Sequence, residues 1–253
     1  MKHIYAQTCK IASSAIDIVL PPRCPVNGQL VDVQGMISHD AWTKLEFITA
    51  PYCTHCGVPF DFETSNDEKC MDCLTHPPVY DSARAALRYN DTSRDLILGF
   101  KHGDKTHVAP SFVPWLQRCG AGCLPNAAYL IPVPLHPKRL LVRRYNQAAV
   151  IAHNLSKEVG IPHLSDAMRR VRATPSQGHL SGGARARNVA KAFDVMPRYR
   201  DDLKGKSVIL MDDVYTTGAT VNECTKTLKQ YGVSHVHVLT LARVLNEEDS
   251  YGL

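Results

Sequence analysis

Asp212 and Asp213 follow the apolar run Val208 to Met211, and the loop Val214, Tyr215, Thr216, Thr217, Gly218, Ala219, Thr220 comes directly after them. That order suits phosphate binding. The run is bounded upstream by Lys204, Gly205 and Lys206 and predicts a buried strand, so the two carboxylates stand at its carboxyl end, where open α/β sheets bind ligands. A loop of successive backbone N–H groups that opens a helix makes a concave anion site. Thr216, Thr217 and Thr220 add hydroxyl donors, and Gly218 lets the backbone come close. A P-loop would place Lys before the Ser/Thr to meet a polyphosphate. Here two acceptors precede the loop instead, and they suit the vicinal hydroxyls of a sugar. The implied ligand is a ribose carrying a 5-phosphate; the pattern alone also fits a solvated Asp-Asp turn.

A second constellation offers metal chemistry. Cys53-Thr54-His55-Cys56 and Cys70-Met71-Asp72-Cys73 give C-x2-C-x13-C-x2-C, two turns that each present a pair of thiolates to one tetrahedral ion. Zn2+ fits four sulfurs, and with no open position its role is structural, supplying folding energy to a segment poor in apolar residues. A redox Cys-x-x-Cys is the rival reading, and two such pairs in so short a stretch disfavour it. His55 and His76 are substitute ligands or solvated groups. Cys9, Cys119, Cys123 and Cys224 have no partner at ligand spacing and read as packing thiols. Nine cysteines without an export signal argue for a reducing compartment, by default the cytosol.

The elements that must position these groups follow from periodicity. Ile11 to Leu20 reads as a short amphipathic helix stopped by Pro21 and Pro22, and no stretch is long enough to cross a bilayer. The 253 residues suffice for one substantial core and a small module, with no low-complexity tract or internal repeat. A break near Pro77 and Pro78 predicts two domains, 1–78 and 79–253. Beyond it, helices are expected over 92–101, 109–118, 146–159 and 219–231. Strands are expected over 129–133, 164–171, 193–196, 208–211 and 235–242. This alternation implies a largely parallel sheet covered on both faces. Charge is split: residues 1–78 carry a net −4 and the remainder +9, with fifteen Lys/Arg against five Asp/Glu between Lys138 and Lys206. Such a region suits a pyrophosphate, a nucleotide or a nucleic-acid backbone, or is simply a solvated basic face.

The segment from Val208 to Thr220 resembles the binding motif of type I phosphoribosyltransferases, which recognise phosphoribosyl pyrophosphate (PRPP). Further blocks carry the likeness across most of the chain: Pro21-Pro22-Arg23-Cys24-Pro25, the cysteine pairs, Phe100-Lys101-His102-Gly103-Asp104, Ile131-Pro132-Val133-Pro134, Arg139, Arg143, Tyr145-Asn146-Gln147, then Gln177, Leu180, Arg185, Asn188 and Phe193. Together they resemble the ComF family of competence-associated proteins. The resemblance implies a type I phosphoribosyltransferase-like α/β fold, with a mainly parallel sheet and flanking helices, plus a small N-terminal zinc-ribbon-like module. Two departures stand out. Many members carry an earlier pair of knuckles, but here Cys24 is followed by Asn27, Ser38 and Ala41 where three more cysteines would fall, with Trp42 marking the register. That earlier site is therefore expected to be empty, its turn held by hydrogen bonds and packing. Arg144 stands where the family usually has Gly.

The implied reaction displaces pyrophosphate from C1 of the sugar through an oxocarbenium-like transition state. Asp212 and Asp213 would take the ribose hydroxyls and favour a cationic sugar, the loop 214–220 the 5-phosphate, and Mg2+ would bridge substrate oxygens. Lys101, Lys138, Arg139, Arg143, Arg185 and Arg187 are candidates for the pyrophosphate, the last two on a Gly/Ser/Arg-rich segment, 174–188, that suits a lid or an ordinary surface loop. Nothing in that segment reads as a nucleobase pocket, so the acceptor is open. Three functions fit: a phosphoribosyltransferase, a PRPP or nucleotide sensor without the chemistry, and an accessory factor that contacts single-stranded DNA. The resemblance implies a part in natural transformation, with other DNA-uptake proteins as further partners.

Overall fold

A computed structural model describes residues 21–63, 68–102, 105–172 and 187–245. The expected helix over 11–20, Cys9, Arg185 and most of the 174–188 segment lie outside them.

In chain order the helices of four or more residues are α1 (His39–Trp42), α2 (Met71–Thr75), α3 (Asp91–His102), α4 (Ala109–Cys119), α5 (Pro137–Arg143), α6 (Gln147–Val159), α7 (Arg200–Leu203) and α8 (Ala219–Gln230). The strands are β1 (Ser82–Arg88), β2 (Tyr129–Pro132), β3 (Met168–Arg170), β4 (Phe193–Val195), β5 (Ser207–Tyr215) and β6 (His235–Arg243). The main sheet runs β1-β6-β5-β2 and every pairing in it is parallel. β3 and β4 form a separate antiparallel pair and do not join that sheet.

Period-2 alternation sends Ile209, Met211, Leu239 and Leu241 to a core shared with α3, α4 and α6, and Val208, Leu210, Val236 and Val238 to one shared with β3, β4 and α8. Both faces are thus covered, as a parallel sheet requires. The four helices expected beyond residue 78 are present, with Asn146 capping α6 through its side chain and Tyr231 following α8.

Three features depart from the sequence reading. β1 was not expected: Ser-Ala-Arg-Ala-Ala-Leu-Arg lacks the β-branched and aromatic residues that favour strands. Tertiary context forms it, because β6 pairs with it on one side. On the other, the N-terminal region covers the edge through Ile48 N–H to Ala86 O (3.0 Å), Arg88 N–H to Glu46 O (2.8 Å) and Ala83 N–H to His55 O (2.7 Å). The second is α5, in a segment where no helix was expected.

The third is an internal repeat. Cys24 and Cys53 each accept, through the backbone carbonyl, an N–H from a glycine four residues on, Gly28 and Gly57, both at φ +73°. Ser38 and Cys70 each cap a short helix, and an antiparallel bridge closes each turn, Arg23 to Leu30 and Tyr52 to Pro59. The two halves diverge in their ligand residues, so the duplication shows in the sequence only through the register of Cys24 and Trp42.

Candidate functional site

β2 pairs with β5 only over Tyr129–Pro132 opposite Val208–Met211, whereas β6 follows β5 to Tyr215. The strand therefore runs past the expected end at Met211, and Asp212 and Asp213 lie inside it. They still face an opening. Beyond Met211 the β2 side of β5 is unpaired, and a cleft forms there between β5, α5, α6 and β3, lined by Lys101, Arg139, Arg143, Arg170, Asp212, Asp213, Val214, Thr216 and Thr220 among others.

The two carboxylates differ. Asp213 is paired with Lys101 (Nζ to Oδ2 2.9 Å), and both side chains are largely buried. Asp212 Oδ1 accepts the Asp213 N–H at 2.9 Å. Burial, then the neighbouring Asp213 charge, push the Asp212 carboxyl up to about 7, partly offset by Lys101 and Arg170. A group so placed costs stability when ionised and gains from any cation brought to it.

The loop 214–220 is shaped by Gly218, which precedes α8 at φ +72°. A Cβ there would lie 2.3 Å from the Tyr215 hydroxyl, so only glycine closes the turn over that ring. Thr216 and Thr217 are exposed, and the first turn of α8 presents its backbone donors beside them.

The opposite wall is built by three anchoring bonds. The Tyr145 hydroxyl donates to Phe100 O, Asn146 Nδ2 to Val133 O (2.9 Å) and Gln147 Nε2 to Lys101 O (3.4 Å). These bonds hold the end of α3, the end of β2 and the start of α6 together, and so place Lys101 opposite Asp213. Arg139 and Arg143 of α5 line the cleft; Lys138 and Arg187 are exposed and do not. Burial and the nearby Arg143 charge lower the Arg139 guanidinium from its ordinary value.

Arg170 was missed by the sequence reading. It is buried, lines the cleft and lies over the Phe193 ring at 5.3 Å. Burial, then the Arg139 charge, lower it. The signal was available: alternation from buried Met168 puts Arg170 on the inward face, and an inward arginine in a strand points to a ligand or a charge partner. Arg144 takes the left-handed conformation, φ +65°, after α5 and donates its N–H to Leu140 O. The backbone that favours glycine is thus retained with an arginine in it.

The four cysteines Cys53, Cys56, Cys70 and Cys73 bring their sulfurs within 4.8 Å of one another. Cys56 and Cys70 sulfurs are 3.7 Å apart, close to the ~3.8 Å edge of a tetrahedron with 2.3 Å Zn–S bonds. Cys53 Sγ accepts N–H bonds from Cys56 (3.4 Å) and Cys70 (3.3 Å), which favour its thiolate. The donor set fits one Zn2+, which would fold the module. His55 is not one of the four clustered donors, and its Nε2 bonds Tyr80 O at 2.7 Å, so it is not a solvated group. In the earlier half, Asn27 Nδ2 donates to Ser38 Oγ at 2.9 Å beside buried Cys24, and the Trp42 ring packs on Phe47. Among the described residues no helix is long and apolar enough to cross a membrane.

A parallel sheet with an acidic strand end, a Thr-Gly loop opening a helix and a four-cysteine ribbon has the form of a phosphoribosyltransferase-type domain with an N-terminal zinc-ribbon module. Residues 15–74 match the double zinc ribbon domain and residues 146–250 the phosphoribosyl transferase domain. Competence protein F of Haemophilus influenzae is 33% identical over 200 residues, 76% of this chain and 85% of the relative. DNA utilization protein YhgH of Escherichia coli is 30% identical over 200 residues, 76% and 84%. Competence protein ComFC of Bacillus subtilis is 26% identical over 216 residues, 82% and 84%. The chain belongs to the competence protein F family.

Proposed function

We propose that the cleft binds PRPP together with Mg2+ and transfers its phosphoribosyl group to a nitrogen acceptor during the handling of incoming DNA. The observation that carries this reading is one cleft that holds the Asp212–Asp213 pair, Thr216 and Thr220 of the phosphate loop and three guanidinium groups. Asp212 and Asp213 accept from the ribose hydroxyls, and their charge favours the cationic sugar of the transition state. The loop 214–220 takes the 5-phosphate at the start of α8. Lys101, Arg139 and Arg143 receive charge developing on the leaving pyrophosphate, and Mg2+ arrives with the substrate and neutralises part of that charge. On this reading the chain divides into functional units near residue 78. Calorimetry with PRPP and Mg2+ tests it: the parent binds, and the Asp212→Ala/Asp213→Ala double variant does not. Equal binding by the two proteins refutes it. Pyrophosphate release on adding acceptors separates a transferase from a sensor.

A second reading rests on a different surface. α5 exposes Leu141 and Val142 between Lys138 and Arg144, and the Escherichia coli relative is named for DNA utilization. A single strand crossing this helix would contact cations with its phosphates, and its affinity would fall with salt.

A further inference from the structure

We infer that the zinc ribbon sets the position of the phosphate loop through a buried arginine–tyrosine relay, in which Arg243 and Tyr80 are positioning residues. The relay has four joints. Arg243 ends β6 and is 6% exposed; its Nη1 donates to the carbonyl of Cys56, inside the first knuckle, at 2.7 Å. Its guanidinium lies over the Tyr215 ring at 4.4 Å, because Arg243 is the register partner of Tyr215 across β5 and β6. The Tyr215 hydroxyl is in turn bonded to that of Tyr80 at 2.7 Å, and Tyr80 O accepts from the knuckle's His55.

Tyr215 is the surface on which the loop closes, since a Cβ on Gly218 would meet its hydroxyl at 2.3 Å. A displaced ring displaces the turn. A separate bond, Val79 N–H to Asn222 Oδ1 at 2.9 Å, ties the same junction to the first turn of α8. An apolar side chain at 243 would complete the sheet face at lower desolvation cost than a guanidinium, so an arginine here is explained by the two groups it joins. With Zn2+ shared among the module's four sulfurs, two of them on this knuckle, the metal-bearing turn would be the rigid end of the relay and the phosphate loop the end it holds.

The consequence for ligand affinity rests on the PRPP reading above; the mechanical tie does not. The test is therefore twofold, on the full chain. Hydrogen exchange without ligand compares the parent with Tyr80→Phe, which removes one hydroxyl, and Arg243→Gln, with zinc content measured in each. The expected result is one zinc retained and exchange about ten-fold faster across residues 215–221, with β2 unchanged. PRPP affinity then falls about five-fold, the loss of one hydrogen bond, in Tyr80→Phe. Parent-like exchange of the loop in both variants overturns the relay. Exchange that rises evenly through the sheet overturns it too, since these are then ordinary core residues. Altered loop exchange in proteins that bind no PRPP, the parent included, upholds the relay and rejects the ligand assignment alone.

Discussion

Replacing Asp212 by Asn should make the protein more stable, and by an amount that depends on pH. The carboxyl titrates at an ordinary 3.8 when unfolded and at about 7 in place, raised by burial and by Asp213. Below pH 4 it is protonated in both states and costs nothing. As pH rises through the interval, the unfolded chain loses the proton while the folded one keeps it, so stability falls; above pH 7 the cost is complete, about 4 kcal/mol. At pH 5.5 only about 2 kcal/mol of it has developed. Asn is neutral and keeps the Oδ1 that accepts the Asp213 N–H. Guanidinium unfolding of parent and Asp212→Asn at pH 5.5 and 8.5 should therefore show the variant ahead at both, with the gap wider by about 2 kcal/mol at the higher pH. Titrations of groups remote from residue 212, those of the four clustered cysteines included, cancel. A gap that does not change with pH would falsify the assignment of a strained carboxylate. The strain also has a function on the proposed reading: a cationic sugar relieves it.

The remaining expectations concern the ribbon and α5. Elemental analysis should give one zinc per chain, and Cys70→Ser should lose it with a lower melting temperature. Because the earlier half keeps the ribbon's backbone bonds, Asn27→Cys/Ser38→Cys/Ala41→Cys should bind a second zinc; a stoichiometry that stays at one refutes the repeat as a metal-competent frame. Arg144→Gly should stabilise the fold by about 1 kcal/mol in chemical denaturation, because it removes a side chain from the left-handed region.

Local chemistry was the legible part of this chain. The Asp-Asp-Thr-Gly run and the Cys-x-x-Cys pairs need only residues close in sequence, and the fold brings each set together in one place. β1 was not legible because Ala and Arg carry no strand signal; its pairing comes from residues more than 150 positions away. The length of β5 was hidden for a related reason: acidic residues read as a strand's end, yet β6 pairs with them regardless. Arg170 illustrates a third limit: alternation with Met168 marks it as inward-facing, but the cleft that it lines is assembled only in the fold. The duplicated ribbon was visible in register through Trp42, but the hydrogen bonds that replaced its sulfurs had to be seen in place.

The covering of β1 has a consequence for what the protein does when starved of metal. The knuckle and the segment before it occupy the outer edge of the sheet, where Ala83, Ala86 and Arg88 form backbone bonds to them. Remove that cover and the seven-residue strand Ser82–Arg88 presents free N–H and C=O groups along one side. Such an edge is a template for pairing with another molecule's edge. Chelation should therefore appear as oligomers on a sizing column, at protein concentrations where the metal-loaded chain shows none, before the parallel sheet itself unfolds.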